Sequence, residues 1–210
     1  ASIGSGHWAA MKSIEDEIKK SNPDAEIVEY DVREKMNPIT NFVGKLNYEF
    51  STKFNPKGYD KWWKGYIAEG EKIKSLGDMA LVAENKPLRM LDFIKKEKPQ
   101  VVISTFMHAT EALIHLRDNG ELKNVAIGQV MTDFVNAYYF QRLGEAIDMS
   151  FVPHDTIRNA WLARGFPADH VATIGMPVKQ AALDKMDETA RLEFLKSKNL
   201  KADVPLIVLV

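Results

Sequence analysis

Gln100-Val-Val-Ile-Ser-Thr-Phe106 is the stretch on which the fold turns. Three β-branched residues in a row, running into small polar ones, read as a buried parallel strand that opens into a turn. A helix near His108–Asn119 follows, closed by Asn119-Gly120, and Val125–Asp133 reads as the next strand. The alternation continues with a strand at Met149–Pro153, a helix near Asp155–Arg164 closed by Gly165, and a strand at Val171–Ile174. Upstream, residues 7–20 read as a helix with Met11, Ile14 and Ile18 on one face, stopped by Asn22-Pro23. Glu26–Asp31 alternates as a short strand. Strands alternating with helices predict a doubly wound, Rossmann-like parallel α/β sheet. Ligands in such sheets sit beyond the carboxyl ends of the strands. That edge collects His7, Thr105–His108, Thr132–Phe134 and Gly175–Pro177.

The opening, Ala-Ser-Ile-Gly-Ser-Gly-His-Trp-Ala-Ala, sets a Gly-x-Gly turn and a histidine at the mouth of the first helix. Gly4 and Gly6 are expected to allow positive φ and close approach of a ligand. The helix behind them presents free N–H groups to an anion. His7 then stands where a titratable base would meet whatever binds. An ordinary strand-to-helix turn would carry the same short pattern.

Composition bounds the rest. The 210 residues, 45% hydrophobic, can bury one sizeable core or two small ones. A net charge of −1 gives no global electrostatic case for nucleic acid. Without cysteine, disulfides and thiolate metal sites are excluded. No apolar run approaches the roughly 18–20 residues that span a bilayer, and no signal peptide is expected. The expectation is a soluble protein, or one held only at a membrane surface.

Residues 33–66 break the alternation, with seven basic residues against three acidic ones. Eight of the chain's 20 aromatics fall there, among them Trp62 and Trp63 between Lys61 and Lys64. Rings interleaved with lysines suit a bilayer interface, where cations meet anionic headgroups. A helical subdomain with an aromatic core would show the same composition. A basic groove stacking single-stranded nucleic acid would as well, but no RNA-binding motif accompanies it.

The chain opens on the glycine turn, where such a turn normally follows a strand, and closes on Pro205-Leu-Ile-Val-Leu-Val210, which reads as a buried strand. The expected organisation is one domain over 1–200, interrupted by the 33–66 insertion, with 201–210 beginning a second domain.

Four stretches together resemble the diacylglycerol glycosyltransferases, that is, the monogalactosyldiacylglycerol synthases and the bacterial processive glucosyltransferases. They are Ser2-Ile-Gly-Ser-Gly-His-Trp-Ala-Ala10, Gln100-Val-Val-Ile-Ser-Thr105, Val130-Met-Thr-Asp-Phe134, and Gly165-Phe-Pro followed by Gly175-Met-Pro-Val178. The resemblance implies a GT-B architecture, of which this chain would be the N-terminal, acceptor-binding half. It implies hexose transfer from a UDP-sugar to diacylglycerol, with no cofactor and no metal, by a cytoplasmic enzyme peripheral on the membrane. His7 matches the family's general base. Asp133 matches the Thr-Asp-Phe aspartate, to orient His7 or hold the acceptor. Gly4, Ser5, Gly6, Thr105, Thr132 and Phe134 fall at donor or acceptor positions. Lys61, Trp62, Trp63 and Lys64 fall in the region linked to membrane and acceptor.

The chain departs from the family at two places. Many relatives carry a histidine and a tryptophan shortly after Thr-Asp-Phe, where this chain has Val135-Asn-Ala-Tyr-Tyr-Phe140. Many also place His-Pro directly after Ser-Thr, where this chain has Phe106-Met107 and a histidine only at His108. His108 reads as the first turn of a helix. His115, His154 and His170 have no metal-ligand spacing and read as surface or structural. Two alternatives stand beside the main reading. One is a relative of the peptidoglycan lipid-intermediate N-acetylglucosaminyltransferase, and the other a non-catalytic lipid- or nucleotide-binding module.

Overall fold

The computed structural model describes residues 5–32, 86–184 and 187–203, with scattered positions between 42 and 64. The chain divides into two compact units, one reaching Pro177 and the other starting at Val178. Each is described by itself.

In the first unit, α1 (Ser5–Ser21) and α2 (Lys86–Glu97) precede β1 (Val101–Ser104), α3 (Met107–Asp118) and β2 (Ala126–Val130). Then come α4 (Tyr138–Glu145), β3 (Met149–Val152), α5 (Asp155–Ala163), a 3₁₀ turn at Ala168–His170, and β4 (Val171–Thr173). The four strands form one parallel sheet in sequential order. Val101 stands opposite Ala126, Gly128 opposite Met149, and Ser150 opposite Val171. The parallel α/β sheet is the one expected. Its order does not reverse among the described strands, so they form one winding direction only.

Local chemistry sets the boundaries. Helices α3 and α5 are each followed by a left-handed glycine, Gly120 at φ 81° and Gly165 at φ 88°. His154 caps α5, its ring nitrogen accepting the Thr156 N–H at 3.1 Å. Its structural reading is therefore correct.

Two hydrophobic clusters hold the unit together. Met90, Leu91 and Ile94 of α2 pack with Leu113 and Leu116 of α3 and Ile127 of β2. Tyr139, Phe140 and Leu143 of α4 pack with Ile157 and Trp161 of α5, Val152 and Val171. Buried polar groups tie helices to sheet. Gln129 donates from one nitrogen to the Phe140 carbonyl and to Ser150 Oγ, both at 3.0 Å. At the other end, Arg117 donates to the Val125 carbonyl at 3.0 Å and pairs with Asp148, which accepts the Ile127 N–H at 2.6 Å.

Two expectations need correction. The run 101–103 forms a strand but not a buried one, since Val101 and Ile103 are 56% and 38% exposed. β1 lies at the end of the strand order and pairs only with β2 among the described residues, so its apolar side chains meet little on one flank. Glu26–Asp31 is not a strand. Alternation marks a face to bury but supplies no ladder partner. The segment packs on a helix instead, with the Tyr30 ring 4.8 Å from that of Phe93 and Val32 inside the α2–α3 cluster.

The described part of the second unit holds α6 (Gln180–Leu183) and α7 (Glu188–Ser197). Asp187 caps α7 by accepting the Ala190 N–H at 2.8 Å. The apolar run Leu206–Val210 lies outside the described residues.

Candidate active site at the carboxyl end of the sheet

Helix α1 begins at Ser5, so Gly6 lies in its first turn and does not take the positive φ expected of it. What Gly6 supplies is room: a Cβ built there would meet nothing within 4 Å. Gly4 lies outside the described residues, and Ser5 opens the helix.

His7 is fixed from two strand ends at once. Its Nδ1 lies 2.7 Å from the Thr105 carbonyl and 2.9 Å from Thr132 Oγ1. A carbonyl only accepts, so Nδ1 carries the proton and the lone pair of neutral His7 sits on Nε2. Thr105 Oγ1 donates back to the His7 carbonyl at 3.1 Å. The polar groups of Thr105 and Thr132, placed among the ligand-binding candidates from sequence, are thus engaged by the histidine. Burial pushes the His7 pKa down, and nearby His108 adds to that effect. The Thr105 hydrogen bond and the Asp133 charge oppose it without overcoming it, and the net value lies below 6.5. His7 is therefore neutral at pH 7 and available as a base.

Asp133 is exposed and acts on His7 through its charge, with no hydrogen bond between the two side chains. Phe134 beside it is 67% exposed at the same edge. The turn between β1 and α3 is locked from within. Ser104 Oγ donates to the Phe106 carbonyl at 2.9 Å, and Thr110 Oγ1 donates to Ser104 Oγ at 3.0 Å. That turn holds the Phe106 ring edge-on to His7, with centroids 5.1 Å apart. The His108 ring lies at the same centroid separation from Phe106.

His108 does more than open a helix. Its Nδ1 donates to Glu111 Oε2 at 2.8 Å, and Tyr139 O–H donates to Glu111 Oε1. Neither Glu111 nor Tyr139 was legible as a site residue. The one available signal was the His-x-x-Glu spacing in the first turn of a helix, which puts both side chains on one face.

Lys61 and Lys64 are helical and exposed, and Lys64 pairs with Asp60 at 2.7 Å. Trp62 and Trp63 lie outside the described residues. Among the described residues, no group of three or more metal-ligating side chains occurs, and no helix is long and apolar enough to cross a membrane.

A Rossmann-like parallel sheet thus carries an anchored imidazole beyond the carboxyl ends of its strands. The model of the monogalactosyldiacylglycerol (MGDG) synthase family matches residues 7–178, and the chain belongs to that family. Among curated proteins it is similar to the processive diacylglycerol beta-glucosyltransferase of Bacillus cereus (strain 03BB102), 24% identical over 184 residues. The protein of the same name from Bacillus mycoides (strain KBAB4) is 23% identical over 182 residues. Each match covers 86% of this chain and 44% of the relative, so the chain spans less than half the length of these relatives.

Proposed function

We propose that this chain is the N-terminal, acceptor-binding half of a GT-B hexosyltransferase that moves a sugar from a UDP-sugar to diacylglycerol. The observation that carries the reading is the state of His7: neutral, Nδ1 held by Thr105 and Thr132, Nε2 free to accept a proton. An acceptor hydroxyl is too weak an acid to attack unaided, and a base within hydrogen-bond reach removes its proton as the new bond forms. The hydroxyl oxygen bonds to the anomeric carbon, the bond from that carbon to the diphosphate breaks, and UDP leaves with the electron pair. The proton ends on His7 Nε2. The Asp133 charge then steadies the imidazolium. The similarity to processive diacylglycerol glucosyltransferases supports a glycerolipid acceptor.

Docking at an anionic membrane surface belongs to this reading. Phe42, Leu46, Phe50 and Phe54 are helical residues spaced four apart, and each is more than half exposed. The Phe50 and Phe54 rings lie 5.3 Å apart. Exposed Lys57 and Lys61 accompany them. Large apolar side chains left in water beside cations favour an interface where both find partners. They add to Lys61, Trp62, Trp63 and Lys64, the residues given this role from sequence.

The experiment is a transfer assay on the complete gene product, with UDP-glucose and UDP-galactose as donors. Diacylglycerol and the peptidoglycan lipid intermediate serve as acceptors. Transfer to diacylglycerol that is lost in His7→Ala supports the reading. Transfer only to the peptidoglycan intermediate assigns the chain to the alternative enzyme. Full activity in His7→Ala removes the base from the mechanism.

A further inference from the structure

Ser104 is the last residue of β1, and its hydroxyl makes every bond open to it, one as donor and two as acceptor. It donates to the Phe106 carbonyl at 2.9 Å. It accepts from the Phe106 N–H at 3.3 Å and from Thr110 Oγ1 at 3.0 Å. Ser104 and Thr110 are both buried, so water does not compete at this junction. The start of α3 does not depend on it. The Phe106 carbonyl already receives the Ala109 and Thr110 N–H groups, at 2.9 and 3.1 Å.

The bond to the Phe106 N–H bears on the site. That N–H and the Thr105 carbonyl belong to one planar peptide unit, and they point opposite ways from it. The carbonyl accepts the His7 Nδ1–H at 2.7 Å. Ser104 therefore holds one end of the unit while the other end holds the imidazole. Turning the plane would carry the carbonyl away from His7. The Ser104 bond opposes that turn, and Thr110 holds the Ser104 hydroxyl. Bonds at the two ends of an amide also polarise it in the same sense, so each strengthens the other. Thr132, the second neighbour of Nδ1, is a hydroxyl that either donates or accepts, and it suits both ring tautomers. Only the carbonyl forces the proton onto Nδ1.

We propose that Ser104 and Thr110 are positioning residues for the general base: their buried hydroxyls fix the Thr105–Phe106 peptide unit, and through it the proton on His7 Nδ1. Their effect on rate rests on the base reading of His7. Their effect on the ring proton does not. Both act only through Thr105.

The test uses the complete gene product labelled with nitrogen-15 histidine. Long-range proton–nitrogen spectra report which ring nitrogen carries the proton, and His7→Ala identifies the His7 signals. The unsubstituted protein should show the Nδ1–H form. Thr110→Val keeps the side-chain shape without the hydroxyl and should admit the Nε2–H form beside it. Ser104→Ala should do so to a greater extent, and Thr110→Ser should restore Nδ1–H. Transfer to diacylglycerol should follow the ring. On the scale of one lost hydrogen bond, kcat should fall about tenfold in Ser104→Ala and several-fold in Thr110→Val, with KM for diacylglycerol changed less than about twofold. The Thr105 bond raises the His7 pKa, so the acid limb of kcat/KM should move to lower pH in both variants. A hydroxyl serving stability alone would move neither the limb nor the ring proton. The assignment is overturned by an Nε2–H ring in the unsubstituted protein, by a ring proton unchanged in both variants, or by Thr110→Ser behaving as Thr110→Val does. An unsubstituted enzyme that transfers no sugar to diacylglycerol would overturn the transfer reading, and the ring proton would still decide the positioning role.

Discussion

Thr105 and His7 are joined twice: the imidazole Nδ1 reaches the Thr105 carbonyl at 2.7 Å, and the Thr105 hydroxyl reaches the His7 carbonyl at 3.1 Å. The pair are 98 positions apart in the chain. The reciprocal bonds fasten the start of α1 to the end of β1 and fix which ring nitrogen holds the proton. Whatever chemistry His7 performs, it performs through Nε2.

The pH profile of transfer should follow from this. Burial lowers the His7 pKa, so the acid limb of kcat/KM should fall below pH 6.5. The Asp133 charge pulls the other way, and Asp133→Asn should carry the limb lower still. The folded state also binds this proton less tightly than the unfolded chain does. His7's contribution to stability is therefore complete above about 6.5 and is lost as pH falls through the lower folded value. An acid limb that ignores Asp133→Asn would separate His7 from the rate.

His7→Ala should reduce kcat by about 10²–10⁴, the usual contribution of a general base. Thr132→Val removes the second acceptor at Nδ1 but leaves the Thr105 carbonyl in place. It should cost about tenfold, the equivalent of one hydrogen bond of ordinary strength. Steady-state rates of the two variants, each checked for native unfolding, decide the order. A larger loss in Thr132→Val than in His7→Ala would reverse their roles.

Gly144 in α4 has no room for a side chain. A Cβ there would come within 2.6 Å of Ser150 Oγ and 3.1 Å of Gln129 Nε2, inside the network that ties α4 to the sheet. Gly144→Ala should destabilise the fold by about 1–3 kcal/mol despite the better helix propensity of alanine. Denaturant unfolding reads the difference, and a stabilised variant would show that the contact relaxes freely.

Asp148 gives the fold a second pH handle. Burial pushes its carboxyl up, but Arg117 and the Ile127 N–H together hold it below the ordinary value. Its contribution is present above about pH 3.9 and is lost as pH falls through the lower folded value. Asp148→Asn should weaken the fold at pH 7 and flatten the stability decline in that acid window. An unchanged decline would assign acid sensitivity elsewhere.

Membrane docking should be electrostatic and apolar together. Sedimentation with anionic liposomes should weaken as salt rises, and Phe50→Ser with Phe54→Ser should reduce it several-fold by removing two exposed rings. Salt-independent binding, or binding indifferent to both rings, would move the contact away from this surface.

Much of the sheet was legible because its strands carry dense apolar runs ending in glycine or polar turns. Gly120 and Gly165 close α3 and α5 at the positions read from sequence. α4 was missed because Tyr138-Tyr-Phe-Gln-Arg-Leu-Gly-Glu145 is short and carries the Gly144 that its packing demands. β1 was read as buried because its residues are apolar, but burial belongs to the neighbours a strand finds, which its own sequence does not list. The site shows the same division. His7 stood out through its glycine context, whereas Thr105 and Thr132 entered as ligand contacts and proved to be its anchors. Glu111 and Tyr139 meet across 28 positions, a closeness created only by the packing of α3 against α4.

The strand that holds the imidazole stands, among the described residues, at one end of the strand order, as β4 stands at the other. β1 bonds on one side only among the described residues, and Thr105 follows directly from it. On warming, the rim of a sheet frays before its middle. Heat inactivation should therefore run ahead of the loss of secondary structure, with the base drifting out of alignment while β2 and β3 stay zipped.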